Sequence, residues 1–394
     1  MTISAIRPES FPWFRYEGYS FSLGLTDGTT AWLSGHSASE FDPETKHMVV
    51  RGGMTEQTQT AYAKIEAILK AAGFDFGDVV RVVENVTAHG ADHYAEAAAV
   101  RQKIFGDSNP TVVTVMVERL LRPAAFIEIE VTATKSDTKT SIVGSDSNLH
   151  RTVVTEVADG TIYLPTMLPI DSAGNLVAEG DFAGQYRYCL ERAGELLEGV
   201  GLDLSHVVKT IDYSTTETRD VYRKCGRPRK ELLGPVYPGA AGILMDRLHA
   251  PGVLVAIDII ASRHTPVAVN PGWSRYETLT YNPGVRAGRM LFMSGFAALD
   301  PETQEALFPG DVLAQTRYIY ESIIEVLQAA GGGPENLLKT IEYVCPEGLT
   351  DYRRVAEVRK ELLREPWPAS TGAICSGLLR PEFLIEVDPM AIML

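Results

Sequence analysis

The sequence predicts an α/β chain of three tandem modules. Three observations carry that expectation. A helix with a glycine stop recurs as "TEQTQTAYAKIEAILKAAGF", "DFAGQYRYCLERAGELLEGVGL" and "DVLAQTRYIYESIIEVLQAAGG", ending near Gly73, Gly201 and Gly331. Pro110, Pro238 and Pro368 repeat at the same separations as those glycines, 128 and 130 residues. A closing segment, "LLRPAAFIEIEV" from Leu120, returns as "LLRPEFLIEVD" from Leu378, with "RLHAPGVLVAIDI" between them. Fixed periods across several elements are the mark of a repeat architecture.

Each element follows from its pattern. The long helices have apolar residues near the 3.6 period and a glycine suited to a left-handed stop. The runs "DVVRVVENVT", "HVVKTIDYST" and "NLLKTIEYVC" read as short strands. Second helices follow in "YAEAAAVRQKIF", "YRKCGRPRKELL" and "YRRVAEVRKELL". The prolines then open a strand, and the segment with paired acids closes the module. Polar stretches at 134–148 and 262–273 read as linkers, which gives modules at 1–135, 148–263 and 272–394.

Composition narrows the function classes. The formal charge is −15 with no basic run, which argues against nucleic acid, because phosphate neutralisation needs a basic face. The N-terminal "MTISAIRPESFPWF" has no signal-type apolar core, and no apolar run is long enough to span a membrane. The four cysteines show neither zinc nor disulfide-framework spacing, so a cytoplasmic location without a metal is expected. No phosphate loop, dinucleotide fingerprint or GxSxG occurs, and no cofactor is expected.

The segments "AWLSGHS", "AAGFDFGDVVRVVENV" and "PTVVTVMVERLLRPAAFIEIEVTA", with "LFMSGFA" and "PASTGAICSGLLRPEFLIEVD" in copy three, resemble the RidA/YjgF (L-PSP) family. Copy two departs most, with "IYLPTML" in place of the Ser-Gly strand. The resemblance implies a chorismate-mutase-like fold, a central β-barrel with helices outside, and small-molecule ligand clefts between neighbouring subunits. Here the three modules would stand in for three subunits, and further homo-oligomerisation stays open.

Alternation along "FIEIEV" puts Glu128 and Glu130 on one face, with Ile127, Ile129 and Val131 toward a helix-covered core. Glu386 and Asp388 repeat this in copy three; copy two has Ala256 and Asp258. By resemblance, Glu128 and Glu386 activate water, and Ser34, Gly35, Ser294, Gly295 and Tyr281 line the ligand site. The alternative for the acids is an inter-module ion pair with Arg119 or Arg247. The family's carboxylate-clamping arginine is replaced by Val112, Ala240 and Ser370, and its cysteine by Thr114, Gly242 and Gly372.

A further set is particular to this chain. Each middle strand carries an acid (Glu84, Asp212, Glu342) and each second helix an arginine (Arg101, Arg229, Arg359). They read either as salt bridges between modules or as a reused site, with acid as general base and arginine as anion clamp; Thr114 joins the second reading. Three functions remain open: a cofactor-free hydrolase or deaminase acting on an imine, enamine or amide carbon; a chorismatase-like enol-ether hydrolase; and a non-catalytic ligand-binding or scaffolding protein.

Overall fold

The computed structural model describes residues 2–106, 108–135, 140–144, 152–157 and 159–393. The long helices run Met54–Ala71, Phe182–Glu198 and Val312–Ala329. Each chain path then turns through Gly73, Gly201 or Gly331 at φ of 77, 75 and 87°, a region glycine enters without steric cost. The middle strands are Val79–Thr87, Val207–Thr215 and Leu337–Val344. The strands after the prolines, Thr111–Val117, Gly239–Met245 and Ala369–Ile374, lie parallel to them. The closing strands Ile127–Thr134, Val255–Ser262 and Ile385–Ile392 lie antiparallel on the other side.

One glutamine per module aims the closing strand. The Gln57 side chain donates to the Ala124 carbonyl (3.0 Å) and accepts from the Phe126 N–H (2.7 Å). Gln185 bridges Gly252 and Leu254 in the same way, and Gln315 bridges Glu382 and Leu384. A buried amide with both ends satisfied is a stiff tie between helix start and strand start. The residue two places beyond each clamped N–H is Glu128, Ala256 or Glu386.

The apolar side chains divide into private and shared cores. Ile127, Ile129 and Val131 pack under the first long helix with Ile65, Ile68 and Leu69, as alternation predicted. Modules two and three have equivalent cores of their own. Two other clusters draw from all three modules, one around Val113, Ile243 and Ala373, the other around Trp32, Tyr163 and Phe292. Between these clusters along the closing strands sits a ring of ion pairs. Glu130 pairs with Lys339, Asp258 with Arg81, and Asp388 with Lys209. Every pair joins two different modules, so each module is tied to both others.

Several expectations are corrected. Strand pairing among the described residues forms three separate seven-stranded sheets rather than one closed barrel; Gly377–Leu378 of module three completes the second sheet, and Arg119–Leu120 of module one completes the third. The segment read as a linker at 134–148 contains a strand, Thr140–Gly144, paired with Thr152–Glu156; 136–139 and 145–148 lie outside the described residues. The second linker contributes Val267–Val269 to the sheet of module three. In module two the second helix is split into a 3₁₀ stretch, Thr216–Cys225, and a short helix, Gly226–Leu232. Pro228 there can only occupy a first turn, so the helix starts at Gly226.

Candidate active site between modules two and three

The Ser-Gly pairs sit where two modules meet, and their roles differ. Ser294 is fully buried: its hydroxyl donates to the Asn282 carbonyl (2.6 Å) and accepts the Ala240 N–H (2.9 Å) from module two. Ser34 does the same with Ser22 and Ser370. Both hydroxyls are therefore stitches between modules, with the ligand-facing surface left to the neighbouring glycine. A Cβ on Gly295 would lie 2.2 Å from Glu386 Oε1, and one on Gly35 would lie 2.6 Å from Glu128 Oε1. Glycine is required because the carboxylate comes up against the backbone.

The two carboxylates share one electrostatic state. Burial, with the neighbouring acid adding to it, raises both Glu128 and Glu386 to about 8. Lys64 opposes the rise at Glu128, Lys209 and the Gly242 N–H at Glu386. Desolvation of this size is what places a carboxyl group in the range useful for proton transfer near neutrality. Neither pairs with Arg119 or Arg247; Arg247 lies 3.9 Å from Asp92 instead. The inter-module ion pairing falls to the second acid of each strand.

The three junctions are not equivalent. Between modules one and two, Ala256 replaces the carboxylate, Thr166 is hydrogen-bonded to the Thr114 backbone, and His249 caps the Thr114 carbonyl. Thr114, read from sequence as ligand-binding, is only 8% exposed and its own hydroxyl meets Tyr94 at 2.8 Å. Between modules three and one, Thr371 takes the Gly35 N–H (3.0 Å), buried Lys64 donates to the Ser37 and Ser39 carbonyls, and Phe14 covers Lys64. The matching residues between modules two and three are Ala241, Ser322 and Ser274. These smaller side chains accompany a cavity of about 330 Å³, within the range of small-molecule sites.

That cavity is lined by Gly295 and Glu386 of module three and by Gly242, Tyr222 and Arg229 of module two. Tyr281, predicted from its spacing, is there, its hydroxyl 3.1 Å from an Arg275 nitrogen. Arg275, Tyr276, Trp273 and Arg380 were not picked out from the sequence. A signal existed: "WFRYE" at Trp13–Glu17 recurs as "WSRYE" at Trp273–Glu277 and is missing from module two. The motif thus accompanies the closing-strand carboxylate, present in copies one and three and absent from copy two.

The strand acids and helix arginines meet within modules, which corrects the reading as bridges between modules. Glu84 binds Arg101, Asp212 binds Arg229 (2.5 Å), and Glu342 lies 3.6 Å from Arg359. Two tyrosines complete each set: Tyr62 and Tyr94, Tyr186 and Tyr222, Tyr320 and Tyr352. The second tyrosine stands ten residues after the acid and the arginine seventeen, in all three copies. Every acid is fully buried, so each network holds a second helix onto its sheet. Arg229→Met should destabilise the chain by about 3–5 kcal/mol, because Asp212 keeps its burial and loses its cation. Urea unfolding would measure this, and a loss below about 1 kcal/mol would contradict it.

One of these networks also reaches the cavity. A Cβ at Gly242 would meet the Tyr222 hydroxyl at 2.6 Å, where module one has Thr114 over Tyr94. Glycine here leaves the Tyr222 oxygen beside the Gly242 backbone that also contacts Glu386. Cys345 and Cys375 are buried with sulfurs 3.8 Å apart. Their mutual hydrogen bond and burial push the Cys375 thiol up, so they act as packing groups. His93 lies 3.2 Å from Glu96 at a helix start.

The model of the family described as "Endoribonuclease L-PSP" matches residues 17–135, 149–263 and 275–393. The chain belongs to the endoribonuclease L-PSP family. Its three family segments make it a tandem member. It is 30% identical over 134 residues to the 3-aminoacrylate deaminase RutC of Acinetobacter baylyi, covering 34% of this chain and 96% of that protein. A RutC family protein of Pyrococcus horikoshii is 29% identical, covering 34% and 96%. Among solved structures, a chorismatase aligns over 80% of this chain and 93% of its own, at a TM-score of 0.54 and 14% identity. This likeness shows that an L-PSP tandem chain and the chorismatase share a fold. No helix among the described residues is long and apolar enough to cross a membrane.

Proposed function

We propose that the chain is a small-molecule hydrolase or deaminase, working without a cofactor in the cleft between modules two and three. The observation that carries this reading is Glu386: a carboxyl group held near pKa 8 at the wall of a 330 Å³ cavity, beside Gly295 and Tyr222. The RutC relative, named as a 3-aminoacrylate deaminase, supports amine release as the reaction type. In this reading the modules form an intrachain pseudo-trimer whose shared interior corresponds to a trimer's central barrel. The cyclic ion pairs and the two shared apolar clusters support it. The acidic balance of −15 gives no support to a nucleic-acid substrate, despite the family's printed description.

The chemistry follows from one group. Glu386 takes a proton from water as the water oxygen adds to the carbon of a C=N bond. It returns that proton to nitrogen to give a carbinolamine; the carbinolamine O–H proton then passes through Glu386 to the amine as C=O forms and the C–N bond breaks, releasing ammonia. Tyr222 offers an oxygen lone pair to a substrate N–H or to the water, since its own proton is given to Asp212 (2.7 Å). The direct test is ammonia release from small imines generated in situ by an amino-acid oxidase, and from aminoacrylate. Acceleration over the enzyme-free rate is expected; none with any imine or enamine would end this reading.

Gly295→Ala should cut that activity by roughly 100-fold, the effect of displacing a catalytic group by about 1 Å, because the new methyl would lie 2.2 Å from Glu386 Oε1 and push the carboxyl group aside. Gly35→Ala makes the equivalent collision at Glu128 and should leave activity largely intact. Equal losses in both variants would place the reaction elsewhere.

A further inference from the structure

Lys209 reaches out of module two to the strands that hold Glu386. It is buried, and its Nζ donates to the Met293 carbonyl and pairs with Asp388, both of module three. Met293 is the residue before Ser294–Gly295, and Asp388 lies two places beyond Glu386 on the same face of the closing strand. One ammonium group therefore joins the two strands that crowd the Glu386 carboxyl group. Phe296 and Val387 complete the join with a reciprocal pair of backbone hydrogen bonds at 2.9 Å.

The three copies sort by this contact. Lys339 of module three makes the equivalent contacts in module one, with the carbonyl of Leu33 (3.1 Å), the residue before Ser34–Gly35, and with Glu130. Both lysines serve a strand that kept its carboxyl group. The strand that carries Ala256 is met instead by Arg81, which pairs with Asp258 and lies 4.9 Å from the Tyr163 ring centre. Either cation can tie two modules through an ion pair, so a lysine at the two junctions with a carboxyl group points to a task at that group. An ammonium is a compact charge with three donors that can serve an acid and a carbonyl at once, whereas a guanidinium is a planar fork.

The surroundings make Lys209 the cation that Glu386 feels. Burial and then Asp388 raise Glu386 to about 8, while Lys209 and the Gly242 N–H hold it back. Tyr343 stands opposite it on the middle strand, and Tyr222 gives its proton to Asp212. Arg229 pairs with Asp212, Arg275 bonds the Tyr281 hydroxyl, and Arg380 belongs to the same cavity wall. The Cys375 thiol is pushed up by its hydrogen bond with Cys345 and the Tyr276 phenol by burial, with Glu386 adding to both, so these two neighbours stay neutral.

We propose that Lys209 is a positioning residue of this cleft: from module two it locks the strand ending at Met293 against the strand carrying Glu386, and so holds the carboxyl group at the cavity wall. This deepens the preceding reading and rests on Glu386 being the working acid. The charge of Lys209 also sets where Glu386 ionises, a property that a structural tie alone would not move.

The full chain would be labelled with ¹³C at the glutamate carboxyl carbons and titrated by NMR, with Glu386 and Glu128 assigned by their glutamine variants. Lys209→Met should move the Glu386 midpoint up by about 1 pH unit, the lower end of what a nearby charge supplies. Glu128, whose opposing cation is Lys64, should stay where it is. The sign follows from the charges. Without Lys209 the ionised Glu386 loses a favourable neighbour, and Arg81 still lowers Asp388, so the first proton goes to Glu386. Lys209→Gln keeps an N–H for Asp388, guards against misfolding of the Met variant, and should move the midpoint the same way. Lys209→Arg keeps the charge and should leave the midpoint near that of the parent. The rise of kcat/KM with pH should follow the Glu386 midpoint in each chain. An unmoved Glu386 in the Met and Gln variants, equal movement of Glu128, or an Arg variant that shifts as far as Met would overturn the proposal. Because the titration needs no turnover, a chain without deaminase activity whose Glu386 midpoint still follows Lys209 would contradict only the preceding reading.

Discussion

Replacing Glu386 by Gln is expected to lower kcat/KM for an imine or enamine substrate by about 10²- to 10⁴-fold, the usual contribution of a positioned general base. The amide keeps the size of the carboxyl group and its contact with the Gly242 N–H, but it cannot take a proton from water. Glu128→Gln should change the rate little, because Thr371, Lys64 and Phe14 occupy the junction around Glu128. The pH profile gives an independent reading. With Glu386 at about 8, the basic form grows with pH, so kcat/KM should rise and level off above about 8. Indifference to both substitutions, or a rate falling with pH through that range, would remove Glu386 as water activator.

The same two acids should make the chain less stable as pH rises. Burial raises Glu128 and Glu386 from the ordinary 4.5 to about 8. Between those values the folded chain holds protons that the unfolded chain has released, so folding stability declines with pH. The slope is up to about 1.4 kcal/mol per pH unit for each group. Below 4.5 both states are protonated and the penalty is absent; above about 8 both are ionised and it is complete. Urea midpoints measured from pH 5 to 8.5 should therefore fall in the parent and flatten in the Glu128→Gln, Glu386→Gln double variant. Comparison with that variant cancels the other titrating groups, such as Asp42 and Asp203, whose hydrogen bonds hold them low. A parallel decline in both chains would show that neither acid is buried ionisable charge.

Much of the fold was legible in the residues. The glycine stops, the prolines before parallel strands and the alternation of "FIEIEV" each reflect a local constraint, and each is present in the structure. The strands inside the two presumed linkers were missed because they are short, sit in Ser/Thr-rich or proline-punctuated stretches, and pair only at a sheet edge. The acid, arginine and two tyrosines of each module are only half legible: acid and arginine stand out as charges repeated in every copy, while nothing local singles out the tyrosines. Their constant offsets of ten and seventeen residues were available, but only the packed helix shows that the four groups meet.

The site divides along the same line. Sequence alone determined which modules kept a carboxylate and a Ser-Gly strand, since a missing side chain at Ala256 is final whatever the packing. Tertiary structure decided that Glu130, Asp258 and Asp388 bind cations of neighbouring modules while Glu128 and Glu386 form no ion pair among the described residues. It also decided that the junction of modules two and three opens a cavity, where Ala241, Ser274 and Ser322 stand in place of Thr371, Phe14 and Lys64. The reason is that a cleft is the volume left between surfaces. Its size depends on side chains brought together from several distant segments of two modules, and no single stretch of the chain carries that sum.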